Sequence, residues 1–229
     1  APTGKAAARL TESILGAKNK LTEILADINA LIPQSAQTIH RLLGVKPFTN
    51  KFRHDKSNPL HVDVLIIDEV SMMSVKLFEI LDYIARRSKK KMTTPFGGIQ
   101  VIFSGDFYQL PPVGTFGEEN TSAFCFESPN WEMTFPTTII LKTIFRQTDE
   151  DYRSILNQVR VGKLYKSALD KLENQVNKPF PTDYKPTILL PRRRDAEIIN
   201  TTELNNLKNQ GKTYKISKAI NEIPTSSKR

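Results

Sequence analysis

The chain has 229 residues, of which 39% are hydrophobic and 25% are charged, and its formal net charge is +9. These values are typical of a globular protein, and no apolar run approaches the ~18–20 residues needed to cross a membrane. The one cysteine, Cys125, excludes a disulfide framework and a cysteine-rich zinc site. The basic excess favours a polyanion partner, nucleic acid first.

The first quarter of the chain is predicted to be helical. AAARLTESILGA (6–17) has helical spacing of small and apolar residues, and TIHRLLG (38–44) predicts a short helical turn. Between them, LTEILADINALI (21–32) predicts a helix that ends before Pro33. Its apolar face would carry Leu21, Ile24, Leu25, Ile28 and Leu31. Residues 45–61 have no clear period and predict a loop or a small hairpin.

Four apolar runs of strand length follow. VDVLII (62–67) and IQVIF (99–103) are typical of strands that are buried on both faces of a parallel sheet. TTIIL (137–141) and TILL (187–190) predict two further strands.

Amphipathic helices separate these strands. SVKLFEILDYIARRSKKK (74–91) predicts a helix with Ser74 as its N-cap. Its inward face would carry Leu77, Phe78, Leu81 and Ile84. DYRSILNQVRVGK (151–163) predicts a helix closed by Gly162, and DAEIINTTELNNLKNQG (195–211) predicts one ended by Gly211. Strands that alternate with helices indicate an α/β fold with a mainly parallel sheet.

The stretch Thr3-Gly4-Lys5 resembles the tail of a phosphate-binding loop. That loop reads G-x-x-x-x-G-K-[ST], and its hydroxyl residue binds Mg²⁺. Here Ala6 follows Lys5, and the full pattern does not occur in the 229 residues. The segment is therefore predicted to have another role.

The strongest chemical pattern is LIIDEVSMM, an apolar strand that ends in two carboxylates. Mg²⁺ is a hard cation that keeps most of its waters, so one carboxylate, Asp68, suffices to hold it. Glu69 can polarise the water that attacks a γ-phosphate. The alternative is an ordinary carboxylate pair at a strand-to-loop junction.

Two further segments contribute polar groups. GIQVIFSGDFYQLPPVG predicts that a second strand delivers Gly105, Asp106 and Gln109 to the edge of the sheet that carries Asp68. Gln109 can hydrogen-bond a γ-phosphate or the attacking water, although a proline-rich turn is the alternative. In LKTIFRQ, Arg146 could act as an arginine finger, although most such arginines are structural.

The ordered series APTGKAA, TIH, IIDEVSMM, GDFYQLPPVG, FESPNW, LKTIFRQ and LNQVRVG resembles superfamily 1 DNA helicases of the Pif type. HDKSNPLHVDVLIIDE also resembles the RecD helicase subunit. The resemblance implies an incomplete RecA-like P-loop NTPase core. Residues 1–145 would form the first motor domain, with a small insertion at about 45–61, and residues 146–229 the start of the second.

The resemblance also implies roles for individual residues. Glu69, Gln109 and Arg146 would be catalytic, Asp68 would bind the metal, and Asp106 and Gln147 would contact the nucleotide. The residues implied to bind DNA are Pro2, Thr3, Gly4, Thr38, His40, Phe107 and Pro111. The implied activity is ATP- and Mg²⁺-dependent 5′-to-3′ unwinding, with single-stranded and duplex DNA as partners. The implied location is an intracellular, reducing compartment: the nucleus of a eukaryote, or the cytoplasm of a bacterium or a virus-infected cell.

The family's phosphate-binding loop and its last motifs are missing from the series. We therefore expect the isolated chain to be a fragment that binds single-stranded DNA weakly and does not hydrolyse ATP. The alternative function is a non-catalytic, helicase-like module that binds nucleic acid. A third is an unrelated P-loop switch protein, which would show nucleotide-dependent partner binding without stimulation by DNA.

Overall fold

The computed structural model describes residues 3–22, 35–44, 54, 59–179, 187–207 and 211–212. The chain divides into two compact units, Ala1–Glu173 and Asn174–Arg229. The two motor domains expected for residues 1–145 and 146–229 remain a prediction. Most of the predicted helix at 21–32 and of the loop at 45–61 lies outside the described residues, as does Pro2.

The described residues of the first unit form helices and one small sheet. Its helices are α1 (Gly4–Thr22), α2 (Ile39–Leu43), α3 (Val75–Lys89), α4 (Trp131–Thr134), α5 (Glu150–Arg160) and α6 (Lys166–Glu173). Its strands are β1 (Val64–Ile67) and β2 (Gln100–Phe103). Short 3₁₀ turns cover Val70–Met72, Pro95–Gly98 and Cys125–Glu127. No described helix is long and apolar enough to cross a membrane.

The two strands are parallel and in register, with Val64 opposite Gln100 and Ile67 opposite Phe103. The α/β class predicted from the sequence is therefore confirmed. The prediction that both strands are buried on both faces is wrong, because Ile66 is 58% exposed and Ile102 is 45% exposed. The described elements pack on one face of the sheet, so the apolar residues of the other face remain in contact with solvent.

Helix α3 covers the packed face and follows the sequence pattern closely. The Ser74 hydroxyl accepts a hydrogen bond from the Leu77 amide at 3.2 Å, which confirms the predicted N-cap. Phe78, Leu81 and Ile84 are buried, as their helical spacing predicted.

The turn that joins α3 to β2 is fixed by one buried carboxylate. Asp82 accepts a 2.6 Å hydrogen bond from the Phe96 amide and pairs with Arg86 one helical turn later. Gly97 adopts a φ of +63°, and a Cβ there would lie 2.7 Å from the Ala85 carbonyl oxygen. The close approach of this turn to α3 therefore requires glycine.

Aromatic rings complete the core between α3 and the sheet. Phe78 packs against Phe96, Phe103 and Trp131, with ring centroids 5.6, 6.1 and 5.7 Å away. Cys125 is fully buried in the same core. Burial raises the pKa of its thiol to about 12, so the sulfur stays protonated and unreactive at neutral pH.

Two predicted strands do not form among the residues that the structure describes. Residues 137–141 and 187–190 make no ladder hydrogen bonds, and Leu141 and Leu189 are each 90% exposed. A strand needs a partner for its backbone groups, and the described residues offer none to either segment. Both segments are apolar enough for a strand, but an apolar composition alone does not form a strand without a second strand to pair with.

The later helices agree better with the sequence. Helix α5 is followed by Gly162 at a φ of +68°, the left-handed position predicted to close it. In the second unit, helix α7 (Arg193–Asn205) forms where a helix was predicted. It ends at Asn205 rather than at Gly211.

Candidate functional site

The carboxyl ends of β1 and β2 bring the two acidic motifs to one edge of the sheet. The Ser104 amide donates to the Ile67 carbonyl at 2.8 Å, and the Val70 amide donates back to the Ser104 carbonyl at 3.1 Å. These bonds extend the pairing beyond the strands. Asp68 and Asp106 therefore follow neighbouring strands at the same edge, as the sequence predicted.

Glycine at position 105 permits this close approach. A Cβ on Gly105 would lie 2.8 Å from the Val70 amide nitrogen and 3.0 Å from its Cγ2. Any larger residue would push the loop that carries Asp68 and Glu69 away from the loop that carries Gln109.

Glu69 is held in an unusual backbone conformation. Its φ and ψ are 58° and 45°, the left-handed region that residues other than glycine seldom adopt. Such a conformation costs on the order of 1–3 kcal/mol and persists where the surrounding structure enforces it, often at functional sites. Here it is enforced by the hydrogen bond from Val70 and by the turn in which the Met72 amide donates to the Glu69 carbonyl at 3.3 Å.

A cavity of about 270 Å³ opens next to Glu69. Its lining comes from the start of α1, the turn after β1 and the loop after β2. The lining residues are Thr3, Lys5, Ala6, Arg9, Glu69, Ser71, Met72, Gln109 and Leu110. The cavity thus brings together one implied DNA contact, Thr3, with two implied catalytic residues, Glu69 and Gln109.

Two cations of this cavity, Lys5 and Arg9, were not assigned a role from the sequence. They lie four residues apart in α1, so they share one face of the helix. That spacing was readable in the sequence. Their positive charges are opposite in sign to the charge of Glu69. They make the cavity suited to a group that carries negative charge.

A threonine precedes each of the helices α1 and α2. Thr3 precedes α1, and its hydroxyl accepts a hydrogen bond from the Ala6 amide at 3.2 Å. Thr38 is the N-cap of α2, where its hydroxyl accepts from the Arg41 amide at 3.2 Å. Gly4 and His40 are exposed in the first turn of each helix. The DNA contacts of these four residues remain predictions.

Asp106 has a partner that the sequence did not reveal. Its carboxylate accepts two hydrogen bonds from Arg160 of α5, from Nε at 2.8 Å and from Nη2 at 3.1 Å. Partial burial raises the pKa of Asp106, but hydrogen bonds from Arg160 and the Tyr108 amide outweigh it and hold that pKa below its usual 3.8. Asp106 is therefore an ionised, paired carboxylate, and its implied nucleotide contact stays a prediction.

The rest of the loop after β2 has mixed exposure. Phe107 packs on Phe126 and Phe124, with ring centroids 4.8 and 5.9 Å away. This gives Phe107 a packing role beside its implied DNA contact, which remains a prediction. Pro111 is exposed and Pro112 is buried, so the second proline anchors the exit of the loop.

Arg146 and Gln147 lie in the loop before α5. Arg146 is exposed and does not line the cavity, and Gln147 is partly buried. The loop is tied to α5 because the Arg153 Nη1 donates to the Ile144 carbonyl at 3.5 Å. The structure therefore does not bring Arg146 to Glu69, and its role as an arginine finger stays a prediction.

The carboxylate of Asp68 is a hard oxygen ligand, the kind that magnesium prefers. Among the described residues, no three histidine, cysteine or carboxylate side chains are arranged to hold a metal ion. Magnesium needs no such cage, because it is commonly held by one or two carboxylates together with waters and phosphate oxygens. The partly buried Asp68 carboxylate supplies that kind of ligand.

The comparisons with known proteins agree with this arrangement. Residues 30–170 match the model of the PIF1-like helicase family. The ATP-dependent DNA helicase RRM3 of Saccharomyces cerevisiae is 40% identical over 190 residues, which cover 82% of this chain and 25% of that protein.

Solved structures of Pif1 helicases are also similar. The Pif1 helicase from Bacteroides, crystallised with ADP-AlF3 and single-stranded DNA, is 29% identical with a TM-score of 0.64, covering 76% of this chain and 44% of that one. The Pif1 helicase from Candida albicans is 36% identical with a TM-score of 0.57, covering 65% and 33%.

The fold is that of a RecA-like core, and Asp68 and Asp106 follow the carboxyl ends of its two described parallel strands. Because the family model covers more than half of the 229 residues, the chain belongs to the PIF1-like helicase family. The chain spans about a quarter of the length of RRM3 and of the DNA helicase PIF1 of Emericella nidulans.

Proposed function

We propose that the full-length protein is an ATP-dependent DNA helicase that moves 5′ to 3′ along one strand and unwinds duplex DNA. The observation that carries the proposal is the cavity shared by Glu69, Gln109 and the start of α1. It links a potential general base to the segment whose motif implies a contact with DNA. A solved structure that is similar to this chain, a Pif1 helicase from Bacteroides, was crystallised with single-stranded DNA.

Three residues would carry the chemistry. Asp68 would hold Mg²⁺ through water, and the bound ion would supply neutralising charge beside the phosphates. Glu69 would accept a proton from the attacking water, a role for which a carboxylate at this edge of the sheet is suited. Gln109 would orient that water through its side-chain amide, which can both donate and accept hydrogen bonds.

The same cavity suggests how DNA and hydrolysis are coupled. Thr3 precedes α1 and Gly4 is its first residue, and Lys5 and Arg9 of α1 line the cavity together with Glu69 and Gln109. A DNA strand held at the start of α1 would lie next to the residues that act on the attacking water. Binding of the strand would then change the position of Gln109, and with it the rate of hydrolysis.

The test is Glu69→Gln in the full-length protein. Glutamine keeps the shape of the side chain but cannot accept the proton, and loss of a general base costs ~10²–10⁴ in rate. We expect oligo-dT-stimulated ATP hydrolysis to fall by that factor, while binding of a fluorescent ATP analogue and of oligo-dT is kept. The matched control is Glu132→Gln, the same chemical change at an exposed position of α4.

Hydrolysis by Glu69→Gln within about twofold of wild type would contradict the role of Glu69. A wild-type protein that binds oligo-dT but shows no hydrolysis with or without DNA would instead support the non-catalytic binding module.

A further inference from the structure

A contact between distant parts of the chain fixes the loop that carries Gln109. Arg160 lies in the last turn of α5, and Asp106 follows β2, 54 residues earlier. The Arg160 guanidinium donates from Nε to one carboxylate oxygen at 2.8 Å and from Nη2 to the other at 3.1 Å. Such a two-pronged contact sets the orientation of both groups as well as their distance.

The contact extends from Asp106 to Gln109. The carboxylate of Asp106 also accepts the Tyr108 amide at 3.1 Å, and its carbonyl accepts the Gln109 amide at 2.9 Å. The guanidinium of Arg160 lies over the Tyr108 ring, with its Cζ 5.0 Å from the centroid. Arg160 therefore contacts both Asp106 and Tyr108 in the turn that places Gln109 in the cavity.

Helix α5 connects this turn to a second implied catalytic segment. Its N-cap, Asp149, accepts the Tyr152 amide at 2.9 Å and comes just after Arg146 and Gln147. The helix has 11 residues and so is about 16 Å long. Its two ends thus meet the loop of Arg146 and the loop of Gln109.

The ion pair between Arg160 and Asp106 is too exposed to act mainly as a contribution to folding stability. The Arg160 side chain is 46% exposed and the Asp106 side chain is 23% exposed. Ion pairs with this much access to water contribute little to folding stability, since water and salt screen them. What the pair does supply is a defined geometry for the turn.

We propose that Arg160 is a positioning residue, which holds the turn from Asp106 to Tyr108 so that Gln109 lies in the cavity beside Glu69. It does so without touching the reacting groups, and it joins the turn to the helix that follows Arg146. This inference rests on the proposed function. It also gives Asp106 a role as the partner of Arg160, distinct from a nucleotide contact.

The first measurement needs neither nucleotide nor DNA. In the full-length protein, hydrogen–deuterium exchange of residues 104–113 reports the Tyr108 and Gln109 amides that bond to Asp106. We expect Arg160→Ala to speed their exchange by about two- to fivefold, the range that loss of a partly exposed pair supports. Arg160→Lys keeps the charge but loses the two-pronged geometry, and should loosen the same residues.

The matched control is Lys171→Ala. Lys171 forms an exposed ion pair with Asp151 of α5 at 2.6 Å, so this variant also removes a pair from the helix. It leaves the turn after β2 intact, and exchange of residues 104–113 should not change. If Arg160→Ala raises exchange throughout the chain because it unfolds, Arg160→Lys decides the question.

The second measurement is the ratio of oligo-dT-stimulated to basal ATP hydrolysis. We expect this ratio to fall in Arg160→Ala and to stay at the wild-type value in Lys171→Ala. Because Arg160 acts through Asp106, the double variant with Asp106→Asn should be no worse than the poorer single variant. A much larger loss in Asp106→Asn, additive with that of Arg160→Ala, would overturn the inference in favour of a nucleotide contact.

The two proposals fail in different ways. Absence of DNA-stimulated hydrolysis in the wild type would refute the proposed function, while the exchange data would still decide whether Arg160 holds the turn. Wild-type exchange of residues 104–113 in both Arg160 variants would refute the positioning role, whatever the hydrolysis rates.

Discussion

Gly105→Ala is the sharpest perturbation of the candidate site that a single methyl group can make. The new Cβ would lie 2.8 Å from the Val70 amide nitrogen, closer than real Cβ contacts. That amide donates the 3.1 Å hydrogen bond to Ser104 which holds the two loops together. The neighbour is backbone, so relief requires the loop of Glu69 to move away from the loop of Gln109.

The size of the effect follows from this clash. Overpacking by one methyl group costs typically about 1–3 kcal/mol. For a domain of 150–250 residues each kcal/mol lowers the melting temperature by roughly 2–4 °C, so the expected loss is about 2–12 °C. A displacement of 1 Å at a catalytic residue can cost ~10²-fold in rate, so ATP hydrolysis should fall by up to that factor.

The assay combines thermal unfolding with DNA-stimulated ATP hydrolysis in the full-length protein. Gly16→Ala is the control, because a Cβ there meets nothing within 4 Å and the residue lies inside α1. It should leave hydrolysis unchanged and raise stability by at most about 1 kcal/mol. If Gly105→Ala matched wild type in both measurements, the two loops would not be held as closely as the structure indicates.

Two further outcomes are expected. Gln109→Ala should leave the melting temperature unchanged, because the side chain is exposed at the cavity. It should greatly reduce the stimulation of ATP hydrolysis by oligo-dT. Stimulation at the wild-type level would show that Gln109 does not link DNA binding to hydrolysis. Because the folded pKa of Asp106 is held below 3.8, its contribution to stability is present at neutral pH and is lost as the pH falls from 3.8 through the folded pKa. The difference in melting temperature between wild type and Asp106→Asn should therefore shrink over that acidic range, and a difference that is constant with pH would contradict it.

The sequence predicted those elements whose signal is local. Helix α3 shows a cap at Ser74 and a buried face with helical spacing, because both depend on residues three or four apart. The closure of α5 by Gly162 is a local signal of the same kind. The parallel pairing of β1 with β2 was predicted from the alternation of strands and helices along the chain.

The sequence predictions were wrong for segments whose structure depends on a pairing or packing partner elsewhere in the chain. Residues 137–141 have the composition of a strand, yet no described residues pair with them. The outer face of β1 is apolar but exposed for the same reason, since burial depends on what packs against a residue as well as on its type.

The candidate site was predicted in part. The sequence predicted that Gln109 would lie at the sheet edge that carries Asp68, and Gln109 does line a cavity with the adjacent Glu69. The presence of Thr3 in the same cavity was not predicted. The pairing of Asp106 with Arg160 joins residues 54 apart in the chain, and no local pattern encodes such a contact. The four-residue spacing of Lys5 and Arg9 does place both cations on one face of α1, and this is readable from the sequence.

The central claim is tested most directly by unwinding of a tailed duplex. The full-length protein, ATP and Mg²⁺ would be mixed with a fluorescently labelled duplex that carries a single-stranded tail at either its 5′ or its 3′ end. The account predicts that the duplex with the 5′ tail is unwound, that this requires ATP, and that Glu69→Gln abolishes it. No unwinding of either substrate, or unwinding of the duplex with the 3′ tail alone, would contradict it.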